Sequence, residues 1–165
     1  MLIKKAVIFF MALLLSACGY HLRGALELPA NMKNVYVEGG SATLLEQFKQ
    51  VMTSSSAQIA SSRKDAGIVI KIANEAFNKR VLSLSTRGKS NEFELTYRLD
   101  YEFANASDAV LMPQQSVEIR REYYNDQQFI IAKDQEEAVI RNEMYQQAVQ
   151  NIVNRARVVL EAGAK

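Results

Sequence analysis

The stretch Phe93-Glu94-Leu95-Thr96-Tyr97-Arg98-Leu99-Asp100-Tyr101-Glu102-Phe103 decides the architecture. Phe93, Leu95, Tyr97, Leu99, Tyr101 and Phe103 alternate with Glu94, Thr96, Arg98, Asp100 and Glu102. Successive side chains of an extended strand point to opposite faces. Period two sustained over this length therefore predicts a long strand with one buried face and one polar face.

The flanking segments predict partners for that strand. Residues 105–108 form a turn by composition. Residues 110–112 can resume extended structure before Pro113, and residues 117–124 read as another strand with Val117, Ile119 and Tyr123 on one face. Upstream, residues 68–73 begin a strand that can run on through Phe77, and residues 81–85 alternate with Leu82 and Leu84 on one face. Residues 35–37 form a short strand ended by Gly39-Gly40.

Two segments carry helical spacing. In the first, Thr43 and Glu46 match a capping box, followed by Leu44, Phe48, Val51 and Met52 at helical intervals. In the second, Asp134 and Glu137 occupy N-cap and N3 positions. Ile140, Met144, Ala148, Ile152, Ala156 and Leu160 then form a row, which Tyr145, Val149 and Val153 widen. The order is strand, helix, several strands, helix. Short polar turns favour antiparallel pairing, and two helices can cover one face. The expected fold is an α+β sandwich of two layers with its second sheet face polar.

The N-terminus has another character. Lys4 and Lys5 precede an uncharged apolar run at residues 6–15, too short to span a bilayer core of roughly 30 Å. Residues 1–17 therefore read as a signal peptide. The segment Leu15-Ser16-Ala17-Cys18 resembles the lipobox of bacterial lipoproteins, in which the cysteine becomes the mature N-terminus and is acylated. Cys18 is the only cysteine. An odd cysteine in an exported chain calls for modification or an intermolecular role. Two or more acyl chains give stable membrane attachment. Gly19, where lipoproteins retained in the inner membrane often carry Asp, favours the outer membrane. The expected organisation is a signal at 1–17, a lipidated N-terminus and tether at 18–33, and one domain at 34–162.

The chain carries 20 basic and 18 acidic residues. Without Lys4 and Lys5 the two counts are equal, 18 and 18, so global charge gives no reason to expect nucleic acid. His21, on the tether, is the only histidine. No Cys/His cluster suits zinc, and no glycine-rich phosphate loop follows a strand. Carboxylates such as Glu92 and Glu94 read as a solvated face. No catalytic residue, metal or cofactor is expected.

Local charge is more informative. No acid lies between Glu75 and Glu92, whereas Lys79, Arg80, Arg87 and Lys89 do. Arg87 and Lys89 flank Gly88 in a predicted turn. That turn is either an ordinary solvated one or a phosphate site, since arginine binds phosphate bidentately. Lys133 stands at the start of the last helix, where free backbone N–H groups favour an anion but Asp134 competes for them. Tyr97 and Tyr101 suit core packing. Tyr124 points opposite to Tyr123 and suits exposure at an interface.

Four segments resemble the LptE (RlpB) family of LPS-assembly lipoproteins. They are the mature start from Cys18 to Gly24, residues 85–88 with 92–95, Arg121-Glu122-Tyr123-Tyr124, and Ala132-Lys133-Asp134-Gln135-Glu136 with Met144-Tyr145. The resemblance covers nearly all of the mature chain. It implies two α-helices packed on one face of a mostly antiparallel four-stranded sheet. It implies a non-enzymatic outer-membrane lipoprotein, facing the periplasm, that plugs the lumen of the LptD β-barrel, aids its assembly and binds lipopolysaccharide. It links the Arg87 and Lys133 positions to lipopolysaccharide contact, with Lys89 beside Arg87. The chain ends at Lys165, where some relatives carry a longer polar tail, so no tail function carries over. A shared fold need not mean a shared role. The alternative is a lipoprotein that inhibits or chaperones another envelope protein. Mass analysis of protein from its native host is expected to find an acylated Cys18 as the first residue; an unprocessed or lipid-free N-terminus contradicts the anchor.

Overall fold

The computed structural model describes residues 28–125 and 130–163, with the backbone alone at 130–134. The signal segment, Cys18, His21 and Phe129 lie outside the described residues, as do the side chains of Lys133 and Asp134.

The alternating stretch lies within strand β4 (Ser90–Ala104), which pairs antiparallel with β3 (Ile68–Leu84) and β5 (Val110–Tyr124). Leu95, Tyr97, Leu99, Tyr101 and Phe103 are all buried beneath the helices. On the other side of β3, β1 (Asn34–Glu38) runs parallel to it, and β2 (Gln58–Ile59) runs parallel to β1. The sheet order is β2-β1-β3-β4-β5. The fold is α+β as expected, but the sheet has five strands and is mixed rather than four-stranded and mostly antiparallel. A helical crossover returns the chain to the same end of the sheet and so makes β1 and β3 parallel. Strand β2 spans two residues, too few for any periodicity to mark it.

Helix α1 (Ala42–Ser54) buries Leu44, Phe48 and Met52, the predicted row. Its cap is Ser41, not Thr43: the Ser41 Oγ accepts from the Leu44 N–H at 3.3 Å. Glu75 fixes the helix start there. Its carboxylate accepts from the Ser41 N–H at 2.6 Å and from the Ser41 hydroxyl at 2.8 Å. Helix α2 (Ile130–Gly163) buries Met144, Ala148, Val149, Ile152, Val153 and Ala156, with Ile140 and Leu160 partly buried. It begins ahead of the predicted Asp134 cap. Each added residue gains a backbone bond once a helix is nucleated, and nothing between Ile130 and Asp134 breaks it. Glu137 is thereby freed from any capping box.

A bulge explains why β3 does not read as one strand. Asn74 has φ +50, and the register with β4 shifts between Ala73 and Ala76. Before the bulge, Ile70 and Ile72 pair with Phe103 and Tyr101 on the helix side; after it, Phe77, Lys79 and Val81 pair with Tyr97, Leu95 and Phe93. The inward parity changes from even to odd, so the alternation appears broken. The bulge also aims Glu75 at the helix layer, where it accepts from the Tyr97 hydroxyl at 2.9 Å. Burial and this carboxylate push the Tyr97 phenol far above its usual range. Strand β5 runs unbroken through Pro113 because it is an edge strand with a register shift beside it.

The second sheet face is polar, yet two of its acids are covered: Glu94 is 7% and Asp100 6% exposed. Arg80 Nε donates to Glu94 at 2.6 Å, so Glu94 is not the solvated partner of Glu92 that composition implied. Asp100 accepts from Ser116 at 2.5 Å, Asn74 at 2.8 Å and Gln114 at 3.1 Å. The Arg80 bond holds the Glu94 carboxyl below its ordinary range, and the Ser116 and Asn74 bonds do the same for Asp100. Lys71 and Arg63 likewise hold Asp108 low.

Groups with lowered folded pKa values stabilise the fold above the unfolded carboxylate range and lose that contribution as pH falls through their folded values. The thermal midpoint is therefore expected to hold near neutrality and to fall as pH drops below about 4; a midpoint flat to pH 2 contradicts it. Glu75→Ala strands the Tyr97 hydroxyl and releases the Ser41 N–H and hydroxyl that it holds at the start of α1, and urea titration is expected to show a loss of roughly 2–4 kcal/mol.

Candidate anionic-lipid site at the hairpin end

The turn between β3 and β4 is built by its own polar groups. Ser85 N donates to Lys89 O at 2.7 Å, Gly88 N donates to Ser85 O at 2.9 Å, and the Ser85 Oγ accepts from Lys89 N at 3.1 Å. Gly88 sits at φ +73, a left-handed conformation that glycine adopts without strain. The predicted turn thus presents Arg87 and Lys89 to solvent on either side of a residue with no side chain.

The four cations of the acid-free stretch have different fates. Arg80 is neutralised by Glu94. Lys79 faces the helices and pairs with Glu137 at 2.5 Å. Neither Arg87 nor Lys89 has a carboxylate partner among the described residues. The free positive charge of this segment is therefore confined to the turn.

Lys133 lies in the first turn of α2, and α2 begins at this same end. Asn125, just past β5, donates its N–H to Asn91 O at 2.6 Å, beside the hairpin. One helical turn beyond Lys133, Glu137 reaches β3 and β5: its Oε2 accepts from Lys79 at 2.5 Å and from the Tyr123 hydroxyl at 2.6 Å. Arg141 donates to the other oxygen at 3.0 Å. Burial alone would raise the Glu137 carboxyl, but Lys79 and Tyr123 outweigh it and hold it below its ordinary range. The far end of α2 lies across the molecule, where Val159 and Leu160 line a cleft of about 320 Å³ with Asn31, Gly67, Asn105 and Leu111. The structure thus brings the Lys133 backbone to the end that carries Arg87 and Lys89.

Exposed apolar side chains gather at this end too. Leu84 is 62% exposed and Tyr124 57%, with Val81, Leu82 and Val139 also exposed. Leu84 pairs with Ser90, Tyr124 with Glu92 and Val81 with Phe93, so these three sit on β3 and β5, on either side of β4, toward its hairpin end. Leu82 and Leu84, which the alternation placed on one face, are both exposed near the hairpin turn. Single exposed hydrophobics are ordinary, but a group beside unpaired cations suits an anionic amphiphile.

The Glu137 cluster had only a faint signal in the sequence. Glu137 and Arg141 are an i,i+4 pair. Nothing announced Lys79, because the bulge inverts which residues face inward. Among the described residues no His, Cys, Asp or Glu group could hold a metal ion, and no helix is long and apolar enough to cross a membrane.

The family described as "LptE: Lipopolysaccharide-assembly" matches residues 32–156. The LPS-assembly lipoprotein LptE of Photorhabdus laumondii is 28% identical over 157 residues, covering 91% of this chain and 82% of that protein. That of Pectobacterium atrosepticum is 24% identical, covering 87% and 78%. An uncharacterized lipoprotein B from Nitrosomonas europaea has a solved structure that superposes with a TM-score of 0.72 at 28% identity, over 88% of this chain and 94% of that one.

Because the Arg87 and Lys89 side chains are exposed and have no carboxylate partner among the described residues, Arg87→Ala and Lys89→Ala are expected to leave unfolding free energy within about 0.5 kcal/mol of the parent. A larger loss in urea titration contradicts the reading of this turn as a presenting element.

Proposed function

This chain belongs to the LptE lipopolysaccharide-assembly family of non-enzymatic lipoproteins, and from that premise we propose that it is anchored in the outer membrane through acylated Cys18, plugs the LptD β-barrel and binds lipopolysaccharide. Arg87, Lys89 and Lys133 supply the cations for the phosphates of lipid A. Val81, Leu82 and Leu84 supply the adjacent apolar surface for its acyl chains.

The observation that carries this reading is polarity along the long axis. Leu28 packs against the core, Met32 is buried and Gly67 N donates to Asn34 O at 2.9 Å, so the tether joins the body at the start of β3. The basic turn stands at the other end of β3, whose 17 residues span about 50 Å. A bilayer hydrocarbon core is roughly 30 Å thick. A body lipidated at one end and enclosed in a barrel can therefore hold its basic end across that thickness, near the opposite leaflet. The open sheet face also suits a wet lumen, since its charges are paired: Arg80 with Glu94, Arg120 with Glu118, Lys71 with Glu102.

Two outcomes test the proposal. Mild detergent extraction of native outer membranes is expected to recover this protein with a large β-barrel; recovery alone, or with a soluble periplasmic protein, favours the inhibitor or chaperone reading instead. The double variant Arg87→Ala/Lys133→Ala is expected to bind lipopolysaccharide at least about tenfold more weakly while remaining folded. Unchanged binding overturns the site.

A further inference from the structure

We infer that Glu137 is a positioning residue: it pins the first turns of α2 against β3 and β5, so that the cations of α2 and of the hairpin turn meet one lipopolysaccharide together. The inference rests on the binding reading above and adds to it the element that sets the geometry.

Among the α2 side chains described, which start at Gln135, Met144 is the first that is fully buried and Ile140 is partly buried. Among residues 135–139, Ala138 and Val139 are exposed, and Glu137 alone is partly covered. Helix ends without tertiary contacts fray. Against that, Glu137 joins three elements at one carboxylate: Lys79 of β3 at 2.5 Å, Tyr123 of β5 at 2.6 Å and Arg141 of α2 at 2.9 Å. Lys79 is itself held, with its ammonium 4.1 Å from the centroid of the Phe93 ring, and the Arg141 guanidinium lies 4.1 Å from that of Phe77. Charge-assisted bonds in such a half-buried setting are directional and short. The aromatic rings restrict where the cations can move. The cluster sits one helical turn, about 5–6 Å, from the Lys133 backbone.

Position and charge predict opposite signs, which makes the inference testable. Glu137→Gln removes an acid close to cations. By electrostatics alone it should tighten an anion. If Glu137 positions α2, the variant should weaken binding.

The experiment measures lipopolysaccharide affinity of the full-length lipoprotein in detergent for E137Q, K133A and the double variant, with amide hydrogen exchange across residues 130–140. Tyr123→Phe, which removes one bond without changing charge, guards against misfolding of E137Q. Expected are a loss of about tenfold for E137Q, a smaller loss for Y123F, faster exchange in the first turns of α2, and no further loss when E137Q is added to K133A. Unchanged or tighter binding by E137Q, where K133A binds weakly, overturns the inference. So does a loss that adds fully to that of K133A. Equal binding by K133A, R87A and the parent instead overturns the site itself; faster exchange in E137Q would then mark the cluster as a purely structural clasp.

Discussion

The odd-numbered side chains of β4, from Leu95 to Phe103, form the floor on which both helices rest, and β4 is hydrogen-bonded along both edges. This strand makes the rest possible. The floor changes character along its run. Over Leu99, Tyr101 and Phe103 it is apolar and meets α1 and the buried rows of α2. Around Tyr97 it becomes aromatic, with the Tyr145 ring centroid 4.5 Å from that of Tyr97. Beside Leu95 the inward positions of the neighbouring strands are Lys79 and Arg121, which meet Glu137 and Gln147 of α2. Beyond them the hairpin leaves the helices behind.

That gradient separates the packed core from the proposed binding end in space. The buried core, the tether and the cleft beside the end of α2 occupy one part of the sandwich. The unpaired cations and exposed apolar groups occupy the other, where substitution disturbs little packing. Strands β3, β4 and β5 run through both parts, and on the helix layer polar contacts of Glu137 and Gln147 tie α2 to the strands near the hairpin end.

The strongest alternation and both helical rows were legible in the sequence, because burial of one face leaves a periodic trace. Residues 93–103, Leu44 with Phe48 and Met52, and Met144 with Ala148 and Ile152 all lie where their spacing put them. What escaped was set by single residues acting at a distance. The Asn74 bulge inverted the parity of β3 and so concealed both its continuity and the inward aim of Lys79. Glu75 moved the start of α1 to Ser41 by bonding it across 34 positions of chain. Burial of Asp100 depends on Ser116, Asn74 and Gln114, three neutral donors that no local pattern links to it. At the candidate site, the turn of Arg87 and Lys89 was legible because Gly88 and the absence of acids are local features. Which cations stay unpaired was not, since that depends on cross-strand partners.

The central claim is that the hairpin end, opposite the tether, meets lipopolysaccharide. A photo-crosslinking side chain at Leu84 in living cells tests it directly, with Val158, also exposed but near the far end of α2, as the control. The account predicts a lipopolysaccharide adduct from position 84 and none from position 158. An adduct from 158 alone, or none from 84 in a protein that still supports lipopolysaccharide assembly, would contradict it.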